Sequence, residues 1–198
     1  LSGELTAMDG FEATQLVIET AEKLGLGYML VGGLSSMAYG IPRATKDADL
    51  VMAVGPGDLD RLTAELGDEF TLDPQGTFEM VTGTMRYHLR IADTTFEIEL
   101  FLLSTDPHDQ SRFERRVPVR LDHLNGVTAS IPTAEDVIVM KLRWYYFAQR
   151  GKDREDIRDV IAVQGDDAFD RDYIHSRTYE HGTRELLDEI RASIPPLD

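Results

Sequence analysis

The chain has no cysteine. That excludes a disulfide framework, a thiolate metal site and a cysteine nucleophile, so any metal must sit on oxygen or imidazole ligands. The 5 histidines are scattered without metal-ligand spacing and read as structural or surface residues. No apolar run approaches the roughly 20 residues a membrane-spanning helix needs, and the opening LSGELTAMDG lacks the basic-then-apolar pattern of a signal peptide, so a cytoplasmic protein is expected. Basic residues are scarce: 20 Lys plus Arg face 36 Asp plus Glu, a formal net charge of −16. A general nucleic-acid clamp shows a basic face; here no general nucleic-acid-binding surface is expected, and a polyanion would have to be held by a local patch.

What is present suits one folded unit. At 198 residues, with 42% hydrophobic and 28% charged residues, the chain can bury one full core. FEATQLVIETAEKL, from Phe11 to Leu24, places apolar residues at helical spacing, and Gly25 is a stop. YMLVGG reads as a buried strand broken at Gly32 and Gly33, and LSSMAYG as a helix opening from that break. DADLVMAV is a second strand, and DLDRLTAELG a helix closed by Gly67. The middle, to Ile131, holds strand-like runs, MRYHLRIA, TTFEIELFLL and VPVRLDHL, split by turn-rich pieces such as DPQG and STDPHDQ. We expect it to continue one mixed sheet. Thr133 and Asp136 resemble the start of a capping box for a helix that Gly151 ends, and DREDIRDVIAVQG and TRELLDEIRAS supply two more helices. The expected division is a core over residues 1–131 and a helical region over 132–198 packed on it.

Asp47 and Asp49 are two apart on a strand and so project from one face. Like charges that close repel, and the pair calls for a cation between them. Hard divalent ions meet that need, and Mg²⁺ takes one or two carboxylates plus substrate phosphates. Just upstream, the Gly32–Gly33 turn and the helix N-terminus offer N–H groups and a dipole end to an anion, with hydroxyls from Ser35 and Ser36. TTFEIELFLL supplies further acids: Glu97 and Glu99 share a face opposite Phe96, Ile98 and Leu100. Carboxylates on two adjacent strands can hold two metals for an in-line phosphoryl displacement.

VGG followed by Ser, then RATKDADL, resembles the signature of the polymerase-β-like nucleotidyltransferase superfamily. The Arg-x-Thr-x-Asp-x-Asp form at Arg43, Thr45, Asp47 and Asp49 is similar to AbiEii-type and related bacterial proteins. IELF, RFERR, TAEDVIVMKL and KDREDIRDVI agree with it. The resemblance implies an α+β fold, with a mixed sheet flanked by helices plus a C-terminal helical segment, and an enzyme moving a nucleoside monophosphate from an NTP to an acceptor hydroxyl. It implies Mg²⁺, with Mn²⁺ as an alternative, on Asp47, Asp49 and Glu99, with Glu97 in reserve. It further implies triphosphate contacts from Gly32, Gly33, Ser35, Arg43, Lys46 and Lys141. The acceptor stays open among tRNA, a protein and a small molecule, and a toxin role would bring a cognate antitoxin as partner. Glu99 stands where the family usually has Asp. That departure keeps a second reading open, a catalytically silent module that binds nucleotide or a partner protein.

Other features have plainer readings. Arg112, Arg115 and Arg116 read first as a salt-bridged surface loop, with a grip on nucleotide or an RNA acceptor as the alternative. Asp153, Asp156 and Asp159 read as charges that cap a helix, although the resemblance implies that this segment borders the active cleft, and WYYF reads as helix packing, with one ring stacking on a base as the alternative.

Overall fold

The computed structural model describes residues 8–195. Helix α1 (Gly10–Lys23) begins with a capping box in which Asp9 accepts from the backbone of Phe11 and Glu12 while Glu12 returns a bond to the Asp9 N–H. Strand β1 (Gly27–Val31), helix α2 (Gly32–Tyr39), strand β2 (Asp47–Ala53) and helix α3 (Asp58–Leu66) follow. Four strands come next, β3 (Phe70–Leu72), β4 (Thr77–Glu79), β5 (Thr84–Ile91) and β6 (Glu97–Leu102), then helix α4 (Pro107–Glu114). Strands β7 (Val117–Leu121) and β8 (Val127–Ile131) precede helices α5 (Ala134–Ala148), α6 (Gly151–Gln164), α7 (Arg171–Glu180) and α8 (Arg184–Ala192).

The main sheet runs β1-β2-β6-β5-β3, with β4 on β5; β2 and β6 are parallel and the other pairs antiparallel. The expected single sheet is corrected at its far end, because β7 and β8 pair only with each other. A single 3-10 turn, Asp122–Leu124, followed by Asn125 and Gly126 at positive φ, returns β7 to β8, and the two form a separate ribbon. STDPHDQ, read as a turn, instead starts α4: Asp106 caps the backbone of His108 and Asp109, and Pro107 occupies the first turn, where its missing N–H costs nothing. Gly151 does not end α5 either. The break falls at Gln149, whose φ is +51°, and Gly151 opens α6. Helix α7 carries only Ile174 and Thr178 as buried residues, too few to show as a periodic stripe.

Period-2 burial builds the site. Ala48, Leu50 and Met52 of β2, with Ile98 and Leu100 of β6, point into a core closed by Ala13, Val17 and Ile18 of α1. Each fully buried aliphatic chain there contributes about 1.5–3 kcal/mol. A second cluster, including Ile138, Ile157, Val160 and Ile190, joins the C-terminal helices. The two halves meet at α2, where Gly40 admits the α6 backbone so closely that a Cβ would lie 3.2 Å from the Val160 nitrogen. The α2 N-terminus thus faces the sheet while its body rests on α6.

Candidate active site

The β2 face opposite the core presents Asp47 and Asp49, and parallel β6 sets Glu97 beside Asp47 and Glu99 beside Asp49. Thr45 orients Asp47, its hydroxyl donating to Oδ1 at 2.7 Å. Lys152, at the start of α6, puts its ammonium 4.0 Å from the other Asp47 oxygen. Burial and then the charges of Glu99 and Asp47 push the Asp49 carboxyl up to about 7. The place is short of positive charge.

The glycine turn is fitted to that carboxylate. Gly32 has φ +65°, and a Cβ on it would lie 1.9 Å from Asp49 Oδ2. Gly32→Ala therefore combines left-handed strain with a direct collision. We expect it to cost about 2–4 kcal/mol and to displace Asp49, so that both the melting temperature and nucleotide binding fall; unchanged binding would show that the close approach is not needed. At Gly33 a Cβ would stand 3.2 Å from Arg43 Nη2, a tight but softer contact.

Asp47, Asp49, Glu99, Gly32, Gly33, Ser35 and Lys141 line one cleft, between the sheet, α4 and α5, with a volume of about 160 Å³. Glu97, Ser36, Arg43 and Lys46 are not among its lining residues. Glu97 is half exposed, 3.7 Å from His88 Nδ1. Ser35 and Ser36 both donate to the Gly32 carbonyl, at 3.1 and 2.9 Å, and so brace the turn. Lys46 is exposed, and among the described residues its carbonyl accepts from the Glu97 N–H. Arg43 grips both oxygens of Asp156, at 2.8 and 2.9 Å. Lys141 is buried in the cleft wall with its ammonium 2.9 Å from Asp153 and 2.8 Å from Asp156. Asp153 and Asp156 are thus interior anions holding Lys141, Arg43 and Arg150, not helix-surface charges.

Two cleft residues escape a reading of the sequence. Arg86 on β5 reaches Glu99 at 3.1 and 3.3 Å, and Lys152 reaches toward Asp47. In sequence Arg86 is one basic residue in a strand; the β5–β6 register sets it opposite Phe101, and its side chain reaches Glu99 on the diagonal. Expectations for the arginine segment and the aromatic run are also corrected. Arg112 is 4% exposed inside the cleft wall, and Tyr146 and Phe147, expected to pack, are exposed near the end of α5.

Among the described residues, no three carboxylates or imidazoles already form a cation cage. The donors that do converge fit Mg²⁺, which needs only one or two carboxylates beside phosphate and water oxygens.

This arrangement is a nucleotidyltransferase fold. ANT(2'')-Ia, an antibiotic-resistance factor, aligns with a TM-score of 0.58 at 14% identity, over 92% of this chain and 96% of that one. A nucleotidyltransferase-class protein from H. pylori aligns at 0.56 and 17% identity, over 100% and 85%. An antigenic nucleotidyltransferase-like protein from Paracoccidioides brasiliensis aligns at 0.51 and 22%, over 96% of each chain. No curated protein matches the sequence. The family model "Nucleotidyl transferase AbiEii toxin, Type IV TA system" matches residues 20–161, most of the chain. The chain belongs to the AbiEii nucleotidyltransferase family and is an enzyme of nucleotidyl transfer. No helix among the described residues is long and apolar enough to cross a membrane.

Proposed function

We propose that this enzyme transfers a nucleoside monophosphate from an NTP to an acceptor hydroxyl in a Mg²⁺-dependent reaction, with Asp47 and Asp49 as the metal-holding pair. The observation that carries the reading is the Asp49 carboxylate. It lies against the Gly32 turn on one side and beside Glu99 on the other, and burial, then the charges of Glu99 and Asp47, raise it. When bound, Mg²⁺ supplies charge neutralisation at the reacting phosphate.

The chain's own groups do the rest. The α2 N-terminus and the Lys152 ammonium receive the triphosphate and favour the pyrophosphate charge as it leaves. The acceptor oxygen bonds to the α-phosphorus as the bond to the β-phosphate oxygen breaks. The acceptor proton goes to Glu99, which is free to take it once Arg86 turns from Glu99 to the incoming anion. Lys141 is tied to Asp153 and Asp156, so its charge acts on the site at a distance, as the second ring behind Asp49.

The acceptor is a tRNA, a protein or a small molecule, and a toxin role would place a cognate antitoxin beside it. Incubation with each α-³²P-labelled NTP and Mg²⁺, with tRNA, purified proteins or small-molecule extract as acceptor, tests the reading. We expect labelled product from the native chain and none from Asp47→Ala; equal labelling by both would overturn the assignment.

A further inference from the structure

Two of the three acids that line the cleft already have a cation against them. Lys152 stands 4.0 Å from Asp47 and Arg86 3.1 Å from Glu99, while among the described residues Asp49 is in ion-pair contact with no cation. The Arg86 pair is the tighter one. Its Nη1 donates to both Glu99 oxygens, at 3.1 and 3.3 Å, and the partners are only 30% and 19% exposed. The guanidinium is braced from two sides: its carbon lies 5.9 Å from the centre of the Phe101 ring, and Nε reaches the Thr77 hydroxyl at 3.4 Å. The β5–β6 register sets His88 opposite Glu99. His88 nevertheless turns to Glu97, 3.7 Å away, and leaves Glu99 to the arginine. Among the described residues Arg86 Nη2 makes no hydrogen bond, and the side chain lines the cleft.

A metal ion on Glu99 needs the same oxygen lone pairs that Nη1 uses, and two cations repel at that distance. Arg86 has to leave first. Its departure strands a partly buried positive charge unless an anion lies within reach, and a planar guanidinium suits phosphate oxygens as well as it suits a carboxylate. Resting on the proposed metal and NTP chemistry, we infer that Arg86 is an internal counter-cation that covers Glu99 until the triphosphate draws it away, so that metal and nucleotide bind cooperatively. Metal alone meets the two aspartates, one of them beside a lysine, and binds weakly. Triphosphate alone meets an arginine committed to Glu99. Together each frees a partner for the other, and the coupling is reciprocal: what the nucleotide does for metal affinity, the metal does for nucleotide affinity. The acid on the acceptor side is thus uncovered only when there is a nucleotide to transfer.

Mn²⁺ binding without nucleotide, followed by electron paramagnetic resonance, tests the cover. Arg86→Gln should bind Mn²⁺ roughly tenfold or more tightly than the native chain, and adding Glu99→Gln should abolish the gain. Arg90→Gln controls for the loss of charge alone. Arg90 lies further along the same strand and pairs with Asp73, so its removal should shift Mn²⁺ affinity by less than about twofold. Thermal melting checks that Arg86→Gln is folded; should it not be, Arg86→Lys, which keeps the charge but loses the planar fork, should still bind Mn²⁺ about threefold more tightly. Binding of inorganic triphosphate in EDTA supplies the converse. Glu99→Gln, which releases Arg86, should tighten it roughly tenfold, and by no more than about twofold once Arg86→Gln is added. Equal Mn²⁺ affinity in Arg86→Gln and the native chain, an equal gain in Arg90→Gln, or equal triphosphate tightening with and without Arg86 would each overturn the inference while leaving nucleotidyl transfer intact. Failure of every one of these chains to bind Mn²⁺ would overturn both.

Discussion

Asp49→Asn should abolish transfer, by roughly 10²–10³-fold or more, and at the same time make the metal-free protein more stable above neutral pH. Both effects come from one feature, a carboxyl raised to about 7, by burial first and by Glu99 and Asp47 after it. The unfolded chain releases this proton near pH 4. Below that pH both states keep it, and the site costs nothing extra. Between about 4 and 7 the unfolded state releases a proton that the folded state holds, so stability falls as pH rises; above 7 the full cost is present. Asparagine never ionises. Its melting advantage over the native chain should be absent near pH 4, grow to about 2 kcal/mol by pH 7 to 8 after allowing for water at the carboxylate, and stay level beyond. Mg²⁺ should raise the melting temperature of the native chain and not that of Asp49→Asn, because only the former gains a ligand on folding. Full activity in the variant, or a melting difference that does not change with pH, would remove Asp49 from the role given to it.

That a folded protein keeps such a group is the cost of a binding site held ready, and part of it is legible in the sequence. The Asp-x-Asp spacing puts two charges on one strand face whatever the fold. The alternation in TTFEIELFLL likewise fixes Glu97 and Glu99 to one face. Which acid enters the cleft depends on the residues across the sheet: Arg86 draws Glu99 inward, while Glu97 lies against His88 at the open edge. Those partners stand 13 and 9 residues away, and only strand pairing brings them together. The same limit hides α4, where Asp and Pro carry identical local signals for a turn and for a helix start, and tertiary burial of His108 and Phe113 decides between them. It also hides the destination of Asp153 and Asp156. Spacing of i, i+3 names a helix face, but not whether water or a buried lysine lies against it.

Lys141→Met should lower the melting temperature by about 10 °C or more, before any question of catalysis arises. The Lys141 ammonium sits between Asp153 and Asp156, which are 0% and 6% exposed. Burial works to raise the Asp156 carboxyl, but hydrogen bonds from Arg43 and the charge of Lys141 hold it below its usual range, so it is an anion in the folded interior. Arg150 binds the second oxygen of Asp153 at 2.7 Å, and Arg43 both oxygens of Asp156. Two anions and three cations thus clamp α6 to α5 and to the loop that leads into β2. Removing the central cation leaves two interior carboxylates under-compensated, a loss of about 3–5 kcal/mol, which for a chain of this size is about 2–4 °C per kcal/mol. Adding Asp153→Asn to Lys141→Met should restore part of that stability, since the orphaned charge goes with its partner. The pair of variants separates two roles that one activity assay would merge. If the double variant regains its fold but not nucleotide binding, Lys141 acts on phosphate as well as on the clamp. If binding returns with the fold, its service to the site is to hold α5 and α6 in place. A single variant melting within about 2 °C of the native chain would show that the clamp does not need its central charge.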